Sequence, residues 1–519
     1  MKKLIFIIIF GLSICILSNQ NLVLGATDKC EITIPNFKVT LNSVEVDNAN
    51  RMYPLIVYKG ITYFPLTYYD CRFLGLTTNW SAQDGLQISK ERISCGYRDY
   101  LSSNKNKNSY LSTIPSFNIK INGKSINNSK EEYPLLLFRN VTYFPMTWRF
   151  CVDEFGWNYS YNNENGLVIS STNKNTKMLL ASSHYFTNNI VSSTIYNDAI
   201  YYIVSDGGVY KKSFYTSENK KKVYQLPLIS EDSNSKAKYY AEGILKNIDD
   251  EFYLITSVNN HKYYYKIDKN DNIEQVAKDT LFKSKNGTTV QISQYIPPGS
   301  NNIIVKNNGK DSFNIGNTEY YYGWSFGKGG GWYASDDLYI VDNCVYSLAI
   351  QDENAKESKI VKIDMNTNET TVVSNMNVSK FELVNKYIYF IDEYKYLHKI
   401  HIDTLQETTI NVSDWKEFKV FENNIYYVSK DSKLFIYGND EPISKNAIVV
   451  DIYTSHGYIV CQFDENSTIN DRMIVFNKEN QVIFKCADIA DGINISLDGI
   501  LTYIEKSTKN IYQVKLTNL

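Results

Sequence analysis

The chain has 519 residues, a formal net charge of −2 and a sequence pI near 6.3. That balance carries no basic footprint, so nucleic acid is not an expected partner. A 43% hydrophobic share suffices for packed cores, and 43 tyrosines beside 24 phenylalanines and 6 tryptophans favour strands over helices.

Residues 1–26 read as a secretory signal peptide. Lys2 and Lys3 precede an apolar run over 4–17, and Gly25-Ala26 gives a small-residue exit. The run is shorter than the ~20 residues of a spanning helix, and no second run of that length follows. The expectation is a secreted or cell-envelope-associated protein with no membrane span after signal removal. Of eight cysteines, Cys15 leaves with the signal. Cys30 and Cys95 flank the first of two repeats and are the candidate disulfide. Cys71 and Cys151 fall at equivalent helical positions and read as small buried residues. Cys344, Cys461 and Cys486 lie on apolar runs and read as core. A C-x-x-C spacing that would suggest zinc is missing.

One stretch occurs twice. Tyr53-Pro54-Leu55, followed by Ile61-Thr62-Tyr63-Phe64-Pro65-Leu66-Thr67, is matched by Tyr133-Pro134-Leu135 and Val141-Thr142-Tyr143-Phe144-Pro145-Met146-Thr147. The copies end at Gly-Leu-x-Ile-Ser runs that open on Gly85 and Gly166, where a single inserted position has widened the offset. Pro54 and Pro134 exclude a helix interior. Two short strands joined at Lys59-Gly60 or Arg139-Asn140 follow in each copy. A short helix comes next, stopping at Gly75 or Gly156. Then come Trp80 or Tyr161 and a last strand. Each copy thus reads as a small β-rich module with one short helix, over 30–95 and 114–171. Polar runs at 96–113 and 171–177 read as linkers.

These residues carry a resemblance. The order Tyr-Phe-Pro-Leu-Thr, short helix, glycine, tryptophan, turn, Gly-Leu-x-Ile-Ser resembles the copper amine oxidase N-terminal-like domain, or stalk domain, over residues 30–171. That resemblance implies a non-catalytic spacer or presentation module in tandem, of the kind found in secreted proteins of Gram-positive bacteria. It does not imply an oxidase. The cofactor tyrosine motif would need an acid where Asn158-Tyr159-Ser160 has serine. The five histidines, His184, His261, His398, His401 and His456, all lie outside the copies.

Residues 178–519 change to many short strands. Ile200-Tyr201-Tyr202, Ile388-Tyr389-Phe390 and Ile425-Tyr426-Tyr427 recur after turns. Units start near 188, 239, 288, 331, 378, 415, 447 and 490. A repeat of this length without helices predicts a β-propeller of seven or eight four-stranded blades, seven if units three and four are one blade with an insertion. The last unit is one strand short, and residues 177–183 could supply that strand. The region is similar to the low-density-lipoprotein-receptor-like propeller domain of unknown function. The fold class expected overall is mainly β.

No catalytic residue, cofactor site or metal site is assigned. Asp268 to Asn272 resembles the start of a calcium loop, but Ile273 stands where glycine is required, so a hairpin turn is the better reading. His398 and His401 fall on opposite faces of a strand. Asp336-Asp337 and Asp249-Asp250-Glu251 are adjacent acids with no fixed second carboxylate. The candidate binding loop is 320–333, where glycines alternate with Trp324, Phe326, Trp332 and Tyr333, rings able to stack on a sugar or anchor a protein. The competing reading is an irregular blade junction with its rings packed inward. The expected function is a non-catalytic protein that binds a protein or glycan at the cell surface. Alternatives are a propeller enzyme acting on glycans, a hydrolase or lyase, and an extracellular sensor or assembly factor.

Overall fold

The computed structural model describes residues 29–517, apart from 182–188, 215–219, 249–250, 308–310, 328, 411–414, 444–447 and 467–470. The signal-peptide reading lies outside the described residues. Among them, no helix is long and apolar enough to cross a membrane.

The two repeats build one six-stranded closed barrel. Each supplies a strand, Lys29–Thr33 or Ser109–Thr113, and a hairpin, Ile56–Tyr58 with Ile61–Pro65 or Leu136–Phe138 with Val141–Pro145. The hairpin turns need left-handed backbone. Lys59 and Gly60 have φ of 49° and 78°, and Arg139 and Asn140 have 51° and 61°. Phe64 stands opposite Phe144, and Glu31 opposite Leu111. Both pairs join equivalent positions of the two copies, so an approximate twofold axis through the barrel interchanges the copies.

The closing strands cross over. Gly85–Lys90 runs parallel to Ile119–Ile121 of the second copy, and Gly166–Ser170 parallel to Val39–Leu41 of the first. The repeated glycine now has a reason. Gly85 and Gly166 have φ of 75° and 66°, and a Cβ on either would lie 2.0 Å from Asn118 O or Lys38 O of the other copy. The expectation of two side-by-side modules is therefore corrected to one interlaced unit. Periodicity marks which face a strand buries, not which copy it pairs with. A single core holds Phe64, Cys71 and Ile88 together with Phe144, Cys151 and Ile169. The short helices differ. Tyr68–Phe73 is α-helical and capped by Thr67, whereas Arg149–Glu154 is a wider π-type turn.

The predicted Cys30–Cys95 disulfide is also corrected. Cys30 sits in the barrel interior, opposite Ser112. Cys95 sits in the other core, beyond strand Ile93–Ser94, and none of the seven described cysteines is in a disulfide. Flanking the same repeat in sequence does not bring them together, because the closing strand leaves its own copy.

The stretch 96–113 is more than a polar connection, since Ser109–Thr113 is a barrel strand. Tyr97 and Tyr100 pack over buried Arg51, which pairs with buried Asp70. Gly96 N–H and the Arg98 guanidinium both donate to Asp488, at 2.7 and 2.8 Å, across to the C-terminal region.

From Ile190 onward, eight sheets of three to five strands follow in chain order among the described residues. Their first strands begin at Ile190, Glu242, Thr280, Leu338, Phe381, Trp415, Val449 and Ala490. Sheets three and four are separate, each with its own antiparallel ladder. First strands touch one another: Ile190–Tyr196 meets both Glu242–Ile248 and Ala490–Ile495, and Trp415–Phe421 meets Val449–Ser455. Sheets standing side by side on their first strands, with the last meeting the first, form a β-propeller. The strand missing from the last unit is supplied by Lys177–Leu180, which pairs with Ile511–Lys515 and closes the ring. The tyrosine doublets lie on second strands covered on both faces; Ala199–Val204 is buried at every residue. Strand Ile93–Ser94 adds a fifth, parallel strand to the edge of sheet seven.

Candidate functional site

In an antiparallel four-stranded sheet, the loop between strands two and three and the link to the next sheet emerge at the same end. On that end of the ring, over sheets four to six, lies a cavity of about 1110 Å³. Lys356 comes from the second loop of sheet four, Lys380 from the link to sheet five, Tyr394 from the second loop of sheet five, and Lys416 from the start of sheet six. Phe326, Gly327 and Gly330 bring the glycine-rich stretch to its wall.

That stretch forms a hairpin, Trp324–Phe326 against Trp332–Ala334, inserted before sheet four. Gly327 N–H donates to Gly331 O at 2.9 Å. A Cβ at Gly327 would come within 2.4 Å of the Tyr333 ring, so glycine lets that ring fold back. Trp324 is 3% exposed and tilted against Trp332 at 6.4 Å. Trp332 is half-buried and meets Tyr321 edge-on at 5.0 Å. Trp324 thus follows the inward-packed reading of this stretch. It packs inward because its strand lies close against second strand Cys344–Ile350, an apolar neighbour. Of the four rings, Phe326 lines the cavity and Tyr333 is exposed at 55%.

Sequence reasoning missed the residues that complete the wall. Tyr394 is 73% exposed on a hairpin turn that carries no distinguishing signal in the sequence. Phe418, largely buried, lines the cavity from sheet six.

Charge at the cavity is balanced, with Lys356, Lys380, Lys395 and Lys416 against Glu382, Asp392, Glu393 and Glu417. The deeper acids are engaged. Buried Glu382 pairs with Lys419 at 2.8 Å and accepts Val420 N–H at 3.0 Å. Asp392 accepts Tyr396 N–H at 2.8 Å and lies 3.3 Å from Nε2 of His398, which stacks on Phe390. Burial pushes the Glu417 carboxyl up. Behind the wall, burial raises Asp337 to about 6 while it accepts Phe381 N–H at 2.9 Å.

The remaining sequence candidates do not converge here. Asp268 accepts Asn270 and Asn272 N–H, both at 2.8 Å, which is a hairpin turn. Asp271 is held by Lys211 and Lys221 at 3.0 and 2.7 Å. Asp336 is exposed and Asp337 buried, so the two point apart. Glu251 pairs with Lys266. Asp249, Asp250 and His184 lie outside the described residues. Among the described residues, no three His, Cys, Asp or Glu side chains gather as metal ligands.

No family model matches the chain, and no curated protein matches it either. Neither family resemblance therefore gains support beyond the residues that carry it. Among solved structures, the chain is similar to the C-terminal WD40 domain of Sif2, at 10% identity over 66% of this chain and 99% of that one, with a TM-score of 0.39. It is similar to the computationally designed Ika8 protein at 11% identity, over 65% of this chain and all of that one, with a TM-score of 0.41. BamB from Moraxella catarrhalis matches at 14% identity, over 53% of this chain and 82% of that one, with a TM-score of 0.31. At these scores, the ring rests on its own strand pairing.

Proposed function

We propose that this chain is a binding protein of the cell envelope, whose ring of eight blades engages a partner protein at the cavity over sheets four to six. The carrying observation is the composition of that wall. Exposed lysines and Glu393 surround Tyr394 and Phe326, while Glu382 and Asp392 are held by neighbouring groups. Such a surface suits a partner segment bearing both charges, with an aromatic anchor. The interlaced barrel then acts as the presentation module, and secretion through residues 1–26 places the protein outside the membrane.

A photo-crosslinking amino acid at Lys380 or Lys416, exposed to envelope fractions of the producing cell, should capture one partner. The same group at Glu422, in an exposed turn on the other end of the ring, should not. Equal capture from both ends would refute the reading. Release of sugar or peptide from isolated cell walls by the purified chain would favour the enzyme alternative instead. Tyr394 and Phe326 also favour a second reading, a glycan ligand stacked on those rings. Soluble wall glycan competing away the crosslink would select it.

A further inference from the structure

A pair of cavities lies on the opposite end of the ring. Strand Ile93–Ser94 leaves the barrel region to join the edge of sheet seven, and a cleft opens beside that junction. One cavity, about 780 Å³, lies between Arg92 and Lys174 on one side and the turn Asn477 to Gln481 on the other. The adjoining one, about 590 Å³, lies against Lys90, Trp157 and Lys485. They share Arg92, Thr172, Asn173 and Val482, so they form one elongated cleft. Loops between strands three and four, such as 477–481, emerge at the end of the ring away from Lys380 and Lys416.

Charge is segregated here. The chain carries a net −2, yet the cleft is lined by Lys90, Arg92, Lys174 and Lys485 against Glu91. Asp471 answers Lys485 at 3.1 Å. Lys90 and Arg92 are exposed, and neither has a carboxylate partner among the described residues. Burial lowers the Lys174 ammonium. The loop-face cavity, by contrast, has as many acids as lysines.

We propose that this cleft binds a linear phosphodiester polymer that carries no bases. A guanidinium fork suits phosphate oxygens, and cations spread along two joined cavities suit repeated charge better than a single anion. Nucleic acid is disfavoured because the cleft offers no stacking platform for a base. Trp157 and Phe484 are each 2% exposed, and Tyr458 is half-buried.

The test is titration calorimetry of the full chain with poly(glycerol phosphate), inorganic phosphate, poly-glutamate and single-stranded DNA, at low and physiological salt. Poly(glycerol phosphate) should bind, and more tightly at low salt. The other three should bind at least tenfold more weakly. Arg92→Glu should weaken polymer binding by tenfold or more, and Lys416→Glu on the far end should leave it unchanged. Arg92 is exposed, so folding should survive; if Arg92→Glu melts early, the Lys90→Gln/Arg92→Gln pair replaces it with the same expectation. Absent polymer binding, equal binding of any comparator, or equal loss in the Arg92 and Lys416 variants would overturn the proposal.

Discussion

Replacing Trp324 separates a structural hairpin from a binding one. The ring is 3% exposed and its indole N–H has no hydrogen-bond partner among the described residues. Two opposing costs follow. Truncating a buried aromatic to alanine removes its contacts and leaves a cavity, at about 3–5 kcal/mol. The unpartnered N–H already costs the native state about 1–3 kcal/mol. Trp324→Ala should therefore destabilise the ring by about 3 kcal/mol, the lower end of the cavity range. Trp324→Phe removes the orphan donor but fills most of the space, so it should fall within about 1 kcal/mol of wild type. Urea unfolding followed by far-ultraviolet circular dichroism gives both numbers. Crosslinking from Lys416 should persist in Trp324→Phe. A Trp324→Ala variant with wild-type stability would refute the packing argument. A Trp324→Phe variant that loses several kcal/mol would show that the N–H is satisfied after all.

Three further outcomes are expected. Tyr63 and Tyr143, equivalent by the twofold axis, are fully buried in the barrel with hydroxyls that lack a partner among the described residues. Phenylalanine at either should leave stability unchanged or raise it by up to ~1–2 kcal/mol, and a loss above ~1 kcal/mol would indicate a bridging water. Arg98→Ala strands the fully buried Asp488 carboxylate and should cost about 3–5 kcal/mol, whereas Arg98→Met with Asp488→Asn, which keeps an acceptor for Gly96 N–H, should recover part of that; equal losses would refute the buried-pair argument. Asp337 has its folded pKa raised from 3.8 to about 6, so its ionisation opposes folding. The associated stability is full below pH ~4 and lost as pH rises through 6. Asp337→Asn should then exceed wild type by about 1–3 kcal/mol at pH 8 and by nearly nothing at pH 4; an equal difference at both pH values would exclude the titration.

The ring was legible because its signal is local. Each sheet is a meander of neighbouring strands, so a tyrosine doublet after a turn marks a second strand wherever it occurs. Unit starts read from that rhythm near 378, 415 and 490 agree with strands beginning at Phe381, Trp415 and Ala490. The closing strand was legible too, because a unit one strand short must find it elsewhere. The barrel was not legible. Gly85 and Gly166 marked the place where the copies exchange backbone, but a glycine in sequence says only that something comes close, not whose carbonyl it is. The loop-face cavity failed for a related reason. Its wall is gathered from loops of three sheets, between Phe326 and Phe418, each ordinary by itself.

The two ends of the ring differ in a way that orders the experiments. The loop-face cavity is assembled within the propeller, so it should persist if the barrel region is removed. The basic cleft needs Lys90 and Arg92 from the barrel side and Val482 from sheet seven together. Ile93–Ser94, paired with Lys485 and Cys486, holds those walls in register, and Arg98 on Asp488 locks the same junction farther along. Breaking that lock should therefore impair phosphodiester binding before it impairs crosslinking from Lys416. At a urea concentration where Arg98→Ala retains its strand signal, loss of poly(glycerol phosphate) binding with crosslinking intact is the expected order. Loss of crosslinking first would mean that the ring depends on the barrel junction as a whole.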